Sequence, residues 1–269
     1  MRNRVLGFSG LEPEYPVVFI HDNSEKIPLV NGTRFGISLQ RPGRKADEGE
    51  FVIRVSDHGT INPGDFIAFS GGVILQVLPE RNEPFRMTVS NRGFVEVSST
   101  FEIWSPLQAG VLTVSDKGSR GERIDTSGPA LEVAAKTIGV STSQRSMVPD
   151  EVESITSVLN DWIFKDKLDL ILVTGGTGLS PRDVTPEALL MIGGKEVPGI
   201  GEYMRWKTSF ENGRSILSRS LAVACEKTLV ISLPGSERGS VQCFNSVAPV
   251  LRHAIEILSG RGEDCGKQH

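Results

Sequence analysis

Cysteine is scarce. Cys225, Cys243 and Cys265 are the only three in a chain of 269 residues. They lack metal-ligand spacing, and an odd number cannot all pair internally. A disulfide framework and a cysteine-bound zinc site are therefore excluded, and a reducing, cytoplasmic setting is expected. Long apolar runs are also missing. No stretch approaches the roughly 18 residues of a transmembrane helix, and no sustained apolar segment follows Arg2 and Arg4 to make a secretory signal. Neither sign of charge dominates: 29 Lys and Arg face 33 Asp and Glu, for a net charge of −4. There is no basic stripe for nucleic acid and no basic amphipathic stretch for a membrane surface. Of the 4 histidines, His21 and His58 stand alone in polar surroundings and read as solvated residues rather than ligands. What remains is 38% hydrophobic and 23% charged, an ordinary balance for a globular protein with one large or two modest domains.

The pattern changes once along the chain. Residues 1–105 carry short branched or aromatic runs: Val17–Ile20, Phe35–Leu39, Phe51–Val55, Phe66–Phe69, Val73–Leu78 and Phe94–Val97. Turn residues punctuate them, as in Asn31-Gly32 and Asn62-Pro63-Gly64-Asp65, so an all-β barrel or sandwich is expected there. The segment from Asn62 through Gly71-Gly72 to Leu78 resembles the closing hairpin of MOSC domains, though no cysteine precedes Cys225. Residues 106–260 alternate apolar strands with helical periods, which predicts a largely parallel sheet covered by helices. Residues 261–269 form a polar tail expected to fray.

The most informative stretch is Thr174-Gly175-Gly176-Thr177-Gly178-Leu179-Ser180-Pro181-Arg182-Asp183-Val184-Thr185-Pro186. The run Leu170–Val173 reads as a buried strand leading into it. Three glycines remove Cβ atoms from the turn, and Thr185-Pro186 reads as a helix start with Pro at the first helical position. Such a strand, bare turn and helix N-terminus can seat a phosphate. Two glycines can equally serve a tight turn alone. There is no Lys-Ser or Lys-Thr for a P-loop, and the spacing is not that of a dinucleotide fingerprint. Arg182 and Asp183 add a cation and a carboxylate. Two other strand ends carry small or acidic residues: Ser115-Asp116 and Pro234-Gly235-Ser236. Ligands in open parallel sheets bind at the carboxyl ends of strands. Trp162 is expected in the core and His253 beside the inward face of the last helix. Asp150 reads either as part of the site or as an N-terminal helix residue that favours the dipole.

Seven blocks then occur in a familiar order. They are Val114-Ser115-Asp116, Asp125 with Ser127-Gly128, Pro149-Asp150-Glu151, Gly175-Gly176-Thr177-Gly178 with Asp183-Val184-Thr185-Pro186, Pro198-Gly199, Leu217-Ser218-Arg219, and Leu233-Pro234-Gly235-Ser236. From about Gln108 to Gly260 the chain resembles the MogA/MoaB family, which includes the G domains of gephyrin and of the plant molybdenum-insertion protein. The resemblance implies a three-layer α/β domain, a homotrimer, and adenylylation of molybdopterin with ATP and Mg²⁺ ahead of metal insertion, with a molybdenum-insertion protein as a further partner. It implies Asp150 and Asp183 as catalytic residues that hold Mg²⁺ directly or through water. Ser115, Asp116, Gly175, Gly176, Thr177, Gly178, Ser180, Arg182, Pro234, Gly235 and Ser236 would line the nucleotide and pterin sites. One block departs: Ala222-Val223-Ala224-Cys225 stands where the family often has an Ala-Gly-Ile-Arg-like run. A non-catalytic molybdopterin carrier and a nucleotide-processing enzyme outside this pathway are the alternatives.

Overall fold

The computed structural model describes residues 4–5, 17–20, 36–40, 50–54, 62–69, 72–77, 85–91, 93–96 and 100–261. The chain divides into two compact units, Met1–Pro106 and Leu107–His269. His21, His58 and the tail beyond residue 261 lie outside the described residues.

In the first unit the strands are β1 (Arg4–Val5), β2 (Val17–Ile20), β3 (Gly36–Gln40), β4 (Glu50–Arg54), β5 (Phe66–Phe69), β6 (Ile74–Val77), β7 (Phe85–Asn91), β8 (Gly93–Glu96) and β9 (Thr100–Trp104). Seven of them pair in the order β1-β9-β5-β6-β7-β3-β4, and β2 pairs with β8. The β5–β6 hairpin is entered by the turn Asn62-Pro63-Gly64-Asp65. Gly64 takes φ +93° there, and the Asn62 N–H donates to Asp65 Oδ2 at 2.8 Å. A hairpin of this kind occurs in many β modules and does not single out MOSC domains.

The second unit runs β10 (Leu107–Val114), α1 (Asp116–Ser119), α2 (Ser127–Ala135), β11 (Val140–Val148), α3 (Val152–Asn160), β12 (Leu170–Thr174), α4 (Thr185–Met191), β13 (Lys195–Glu196), α5 (Pro198–Ser209), β14 (Ala222–Cys225), β15 (Thr228–Leu233) and α6 (Glu237–Leu258). Its sheet has the order β11-β10-β12-β15-β14-β13. β11, β10, β12 and β15 are mutually parallel, and β14 and β13 close one edge antiparallel. The largely parallel α/β domain expected for residues 106–260 is present.

Strand alternation explains the layers. Successive side chains point to opposite faces, and in β12 both faces are apolar. Leu170 and Leu172 pack with Leu131 of α2, Met204 of α5 and Phe244 of α6. Ile171 and Val173 pack on the other face with Ile155 and Leu159 of α3 and Leu189 of α4. A continuous apolar strand is what burial on both faces requires. Gly110 is needed by this packing, because a Cβ there would lie 2.5 Å from Trp162 Cε3. Trp162 is 6% exposed and belongs to the core.

The Ser115 hydroxyl caps α1 by accepting the Gly118 N–H at 3.1 Å. Three expectations need correction. Pro186 occupies the second helical position of α4, one residue later than expected. The Thr185 N–H and hydroxyl bind the Gly176 and Gly175 carbonyls, so the helix begins at Thr185. The residue before α3 with extended backbone is Glu151, so Asp150 lies outside the helix. His253 is exposed on α6 rather than set against its inward face.

Candidate functional site

The carboxyl ends of β10, β12 and β15 meet because their backbones touch. A Cβ on Gly175 would lie 2.1 Å from the Val114 carbonyl oxygen, and one on Gly235 would lie 3.1 Å from Gly175 Cα. The Gly175 N–H donates to Leu233 O at 3.1 Å, and the Thr174 hydroxyl donates to Pro234 O at 2.8 Å. Gly175 has φ +108° and Gly176 φ +62°, the conformations for which glycine is favoured.

The turn leaves donors bare. Among the described residues, no group accepts a hydrogen bond from the N–H of Gly176, Thr177 or Gly178. Backbone donors without protein partners must face water or a ligand, and consecutive bare N–H groups make an anion nest. Two carboxylates face this nest. Asp150 Oδ1 would be 3.1 Å from a Cβ on Gly176, and Asp183 Oδ2 would be 2.8 Å from one on Gly178. Any side chain on these glycines would fill the space between nest and carboxylates.

Each carboxylate is held. The Ser180 N–H donates to Asp183 Oδ2 at 2.9 Å, and the Asp183 N–H donates back to Ser180 O at 2.9 Å. Asp150 and Asp116 are reciprocal: the Asp116 N–H donates to Asp150 Oδ2 at 2.9 Å, and the Asp150 N–H donates to Asp116 Oδ1 at 3.1 Å. Burial pushes the Asp150 carboxyl above its ordinary range. The bond from the Asp116 backbone opposes this, while the charges of Asp116 and Asp183 add to it. Asp116 behaves oppositely, because the Arg182 guanidinium holds its carboxyl below the usual range. Arg182 donates from Nη2 to Asp116 Oδ1 at 2.7 Å and from Nε to Asp116 Oδ2 at 3.1 Å. Both partners, expected to contact ligand, are thus engaged with each other.

A cleft of about 510 Å³ opens beside the loop. Thr177, Gly178, Asp183, Pro234, Gly235 and Ser236 line one part of it, and Thr208, Asn212, Arg214, Ser215, Ser218 and Gln242 line the rest. Ser236 also caps α6 by accepting the Gly239 N–H at 3.2 Å. A smaller hollow of about 30 Å³ is lined by Thr113, Ser115, Arg123, Asp125, Met147 and Gly235. Gly235 borders both. Of the predicted residues, Thr177, Gly178, Asp183, Pro234, Gly235 and Ser236 reach the cleft, Ser115 reaches the hollow, Gly175 and Gly176 line neither, and Asp150, Asp116 and Arg182 form a cluster beside Gly176. Ser180 is exposed and serves to hold Asp183. Ala222–Cys225 lines neither space, because it is the interior-facing strand β14.

Three residues that shape the site carry no chemical role in the sequence pattern. Asp125 accepts the Thr113 hydroxyl at 2.8 Å and the Gly128 N–H at 2.9 Å, joining β10 to α2. Arg214 and Gln242 line the cleft from distant parts of the chain, where no local pattern marks them.

The glycine turn and the carboxylates meet at the carboxyl ends of parallel strands, where open α/β sheets bind their ligands. The family described as a probable molybdopterin binding domain matches residues 110–253, and the chain belongs to it. It is 38% identical over 150 residues to the molybdenum cofactor synthesis protein cinnamon of Drosophila melanogaster, covering 55% of this chain and 25% of that protein. It is 33% identical over 156 residues to the molybdopterin adenylyltransferase of Helicobacter pylori strain J99, covering 57% of this chain and 89% of the relative. The crystal structure of the molybdopterin biosynthesis enzyme MoaB of Thermus thermophilus matches with 42% identity and a TM-score of 0.55, over 57% of this chain and 97% of that one. The fold is therefore of the MogA/MoaB type, and the relatives are molybdenum cofactor biosynthesis proteins. The chain spans only about a quarter of the length of cinnamon. Among the described residues no helix is long and apolar enough to cross a membrane.

Proposed function

We propose that this protein acts in molybdenum cofactor biosynthesis by adenylylating molybdopterin. The observation that carries the reading is the bare Gly176–Gly178 nest faced by Asp150 and Asp183, with Thr177, Gly178 and Asp183 also lining a 510 Å³ cleft. An oxygen of the terminal phosphate of molybdopterin attacks the α-phosphorus of ATP. The bond to the β-phosphate breaks, and pyrophosphate leaves. Phosphoryl chemistry of this kind is catalysed by positioning and by offsetting charge. The loop N–H groups hold phosphate oxygens, and the cleft excludes water from one side of the reacting centre.

Mg²⁺ fits the donor set. That ion is commonly held by one or two carboxylates together with substrate phosphates and water, and Asp150 and Asp183 present two carboxylates across the glycines. Bound there it would offset negative charge on the phosphates. Asp116 keeps Asp150 aimed, and Ser180 keeps Asp183 aimed.

Purified protein supplied with ATP, Mg²⁺ and molybdopterin should release pyrophosphate and adenylylated molybdopterin, and Asp183→Asn should abolish both. Tight pterin binding without turnover would replace this reading with that of a carrier. The Ala222–Cys225 run that suggests a carrier lies in β14, away from the cleft. We also expect a homotrimer in the cytoplasm that hands its product to a molybdenum-insertion protein. The exposed Tyr203 and Trp206 of α5 and Phe210 just after it support self-assembly, and light scattering would measure the mass.

A further inference from the structure

We infer that Arg219 is the positioning residue of the site, tying the far wall of the cleft to the loop that carries Asp183. Its own N–H donates to Thr177 O at 2.8 Å. Its guanidinium spreads over three more acceptors: Nε donates to Gly178 O at 2.8 Å, Nη2 to the Asp183 carbonyl, and Nη1 to the Glu187 carboxylate. One residue thus holds the loop at the end of the nest, at the carboxylate-bearing position and at the first turn of α4.

Geometry makes this a guanidinium task. The guanidinium's three acceptors, two backbone carbonyls and one carboxylate, are reached by separate N–H groups of a planar fork, whereas an ammonium offers three donors from one atom. Arg219 directly follows Asn212–Ser218, five of whose residues (Asn212, Arg214, Ser215, Leu217 and Ser218) line the cleft. The Gly178–Asp183 segment borders that cleft too. Arg219 is half-buried and bonds the carbonyl side of the turn, which leaves the N–H groups of Gly176, Thr177 and Gly178 facing the other way. The Asp183 carboxylate is held by Ser180 within the loop, and Arg219 fixes that loop as a whole.

The inference rests on the proposed adenylylation for its kinetic readout but not for its structural one. Arg219→Ala should speed amide hydrogen exchange in a peptide spanning residues 177–187 by about tenfold, since exchange reports local opening. Its melting temperature should stay near that of the parent. In the adenylylation assay kcat should fall at least about tenfold with KM for ATP nearly unchanged, the signature of lost transition-state positioning. Low millimolar guanidinium should restore part of kcat. Unchanged exchange in residues 177–187 would overturn the inference whether or not the parent is active. So would a parental kcat in an active background, or a kcat loss that guanidinium does not relieve. An inactive parent protein would instead refute the adenylylation reading and leave hydrogen exchange to decide this one. If Arg219→Ala does not fold, Arg219→Lys decides: faster exchange in 177–187 supports the inference, and parental exchange overturns it.

Discussion

Gly175→Ala tests the claim that three strand ends touch at the site. Two costs add at this position. Its φ of +108° lies well outside the left-handed well near +57°, and an L-residue held there costs about 1–3 kcal/mol. The new methyl would also sit 2.1 Å from the Val114 carbonyl oxygen. That atom belongs to β10, which is paired on both sides, so the backbone must shift at a further cost of about 1–3 kcal/mol. At roughly 2–4 °C per kcal/mol for a unit of this size, the melting temperature should fall by about 10 °C. Gly121→Ala is the control. Its φ is +74°, but nothing lies within 4 Å of the added methyl, so only a conformational cost of about 1–2 kcal/mol applies. Far-ultraviolet circular dichroism in the helical band is the assay, because all helices among the described residues lie in the second unit. A loss in Gly175→Ala no greater than in Gly121→Ala would refute the contact between Gly175 and β10.

Asp150→Asn should leave the protein inactive yet more stable at neutral pH. The folded pKa of Asp150 lies above its ordinary 3.8, so folding disfavours the charged form; that cost is full above the folded pKa, shrinks as pH falls through it and is gone below the unfolded value. Variant and parent should therefore converge in acid, and a lower melting temperature for the variant at pH 7 would contradict the burial and repulsion seen around Asp150. Glu187 has the opposite sign: Arg219 lowers its pKa below 4.5, so its contribution is present above that value and lost as pH falls through the folded pKa. Glu187→Gln should remove about 1 kcal/mol or less of stability at pH 7, with the half-exposed pair screened by solvent, and acid titration of both proteins would show whether the difference closes. Arg214 lines the cleft without a carboxylate partner among the described residues, so Arg214→Ala should raise KM for the phosphorylated substrate about tenfold with kcat held; a change in kcat alone would exclude this role. Gly110→Ala should cost about 1–3 kcal/mol by pressing on Trp162, and calorimetry giving no loss would refute that packing.

The fold of the second unit was legible because its signals are local. Leu170–Val173 is apolar at every position, which fits a strand buried on both faces, and the helices keep their period. The glycine loop was legible for the same reason. What could not be read were the partners chosen by tertiary contact. Arg182 stands beside Asp183 in sequence, so it read as a free cation for phosphate. Its actual partner, Asp116, is 66 residues away. Arg219 belonged to a recognisable block, but nothing in Leu217-Ser218-Arg219 says that its guanidinium reaches Gly178 and Asp183. Ser115 and Ser236 read as ligand contacts, and both cap helices, a role small hydroxyl residues fill at any strand-to-helix turn.

The placement of charge gives the site its chemical direction. Asp116, Asp150 and Asp183 converge on one loop, and like charges so placed raise the energy of the ionised set. The protein offsets the charges unequally. Asp116 receives the whole of the Arg182 fork, which keeps it ionised and turns it into a fixed support. Asp150 receives one backbone N–H while burial and two neighbouring carboxylates work against its charge. Asp183 receives one backbone N–H as well. The two carboxylates left without a guanidinium are the two that face the bare glycines. A phosphate seated on the nest would add a further negative charge, so the arrangement favours a cation brought between Asp150, Asp183 and the phosphate. The prediction that follows separates the two carboxylates from their support. Asp116→Asn should weaken the hold on Arg182 and leave both nest-facing carboxylates in place, so Mg²⁺ affinity measured by calorimetry in the presence of ATP should fall far less than in Asp183→Asn. Equal losses in the two variants would mean that Asp116 is itself a ligand and that its bond to Arg182 breaks on binding.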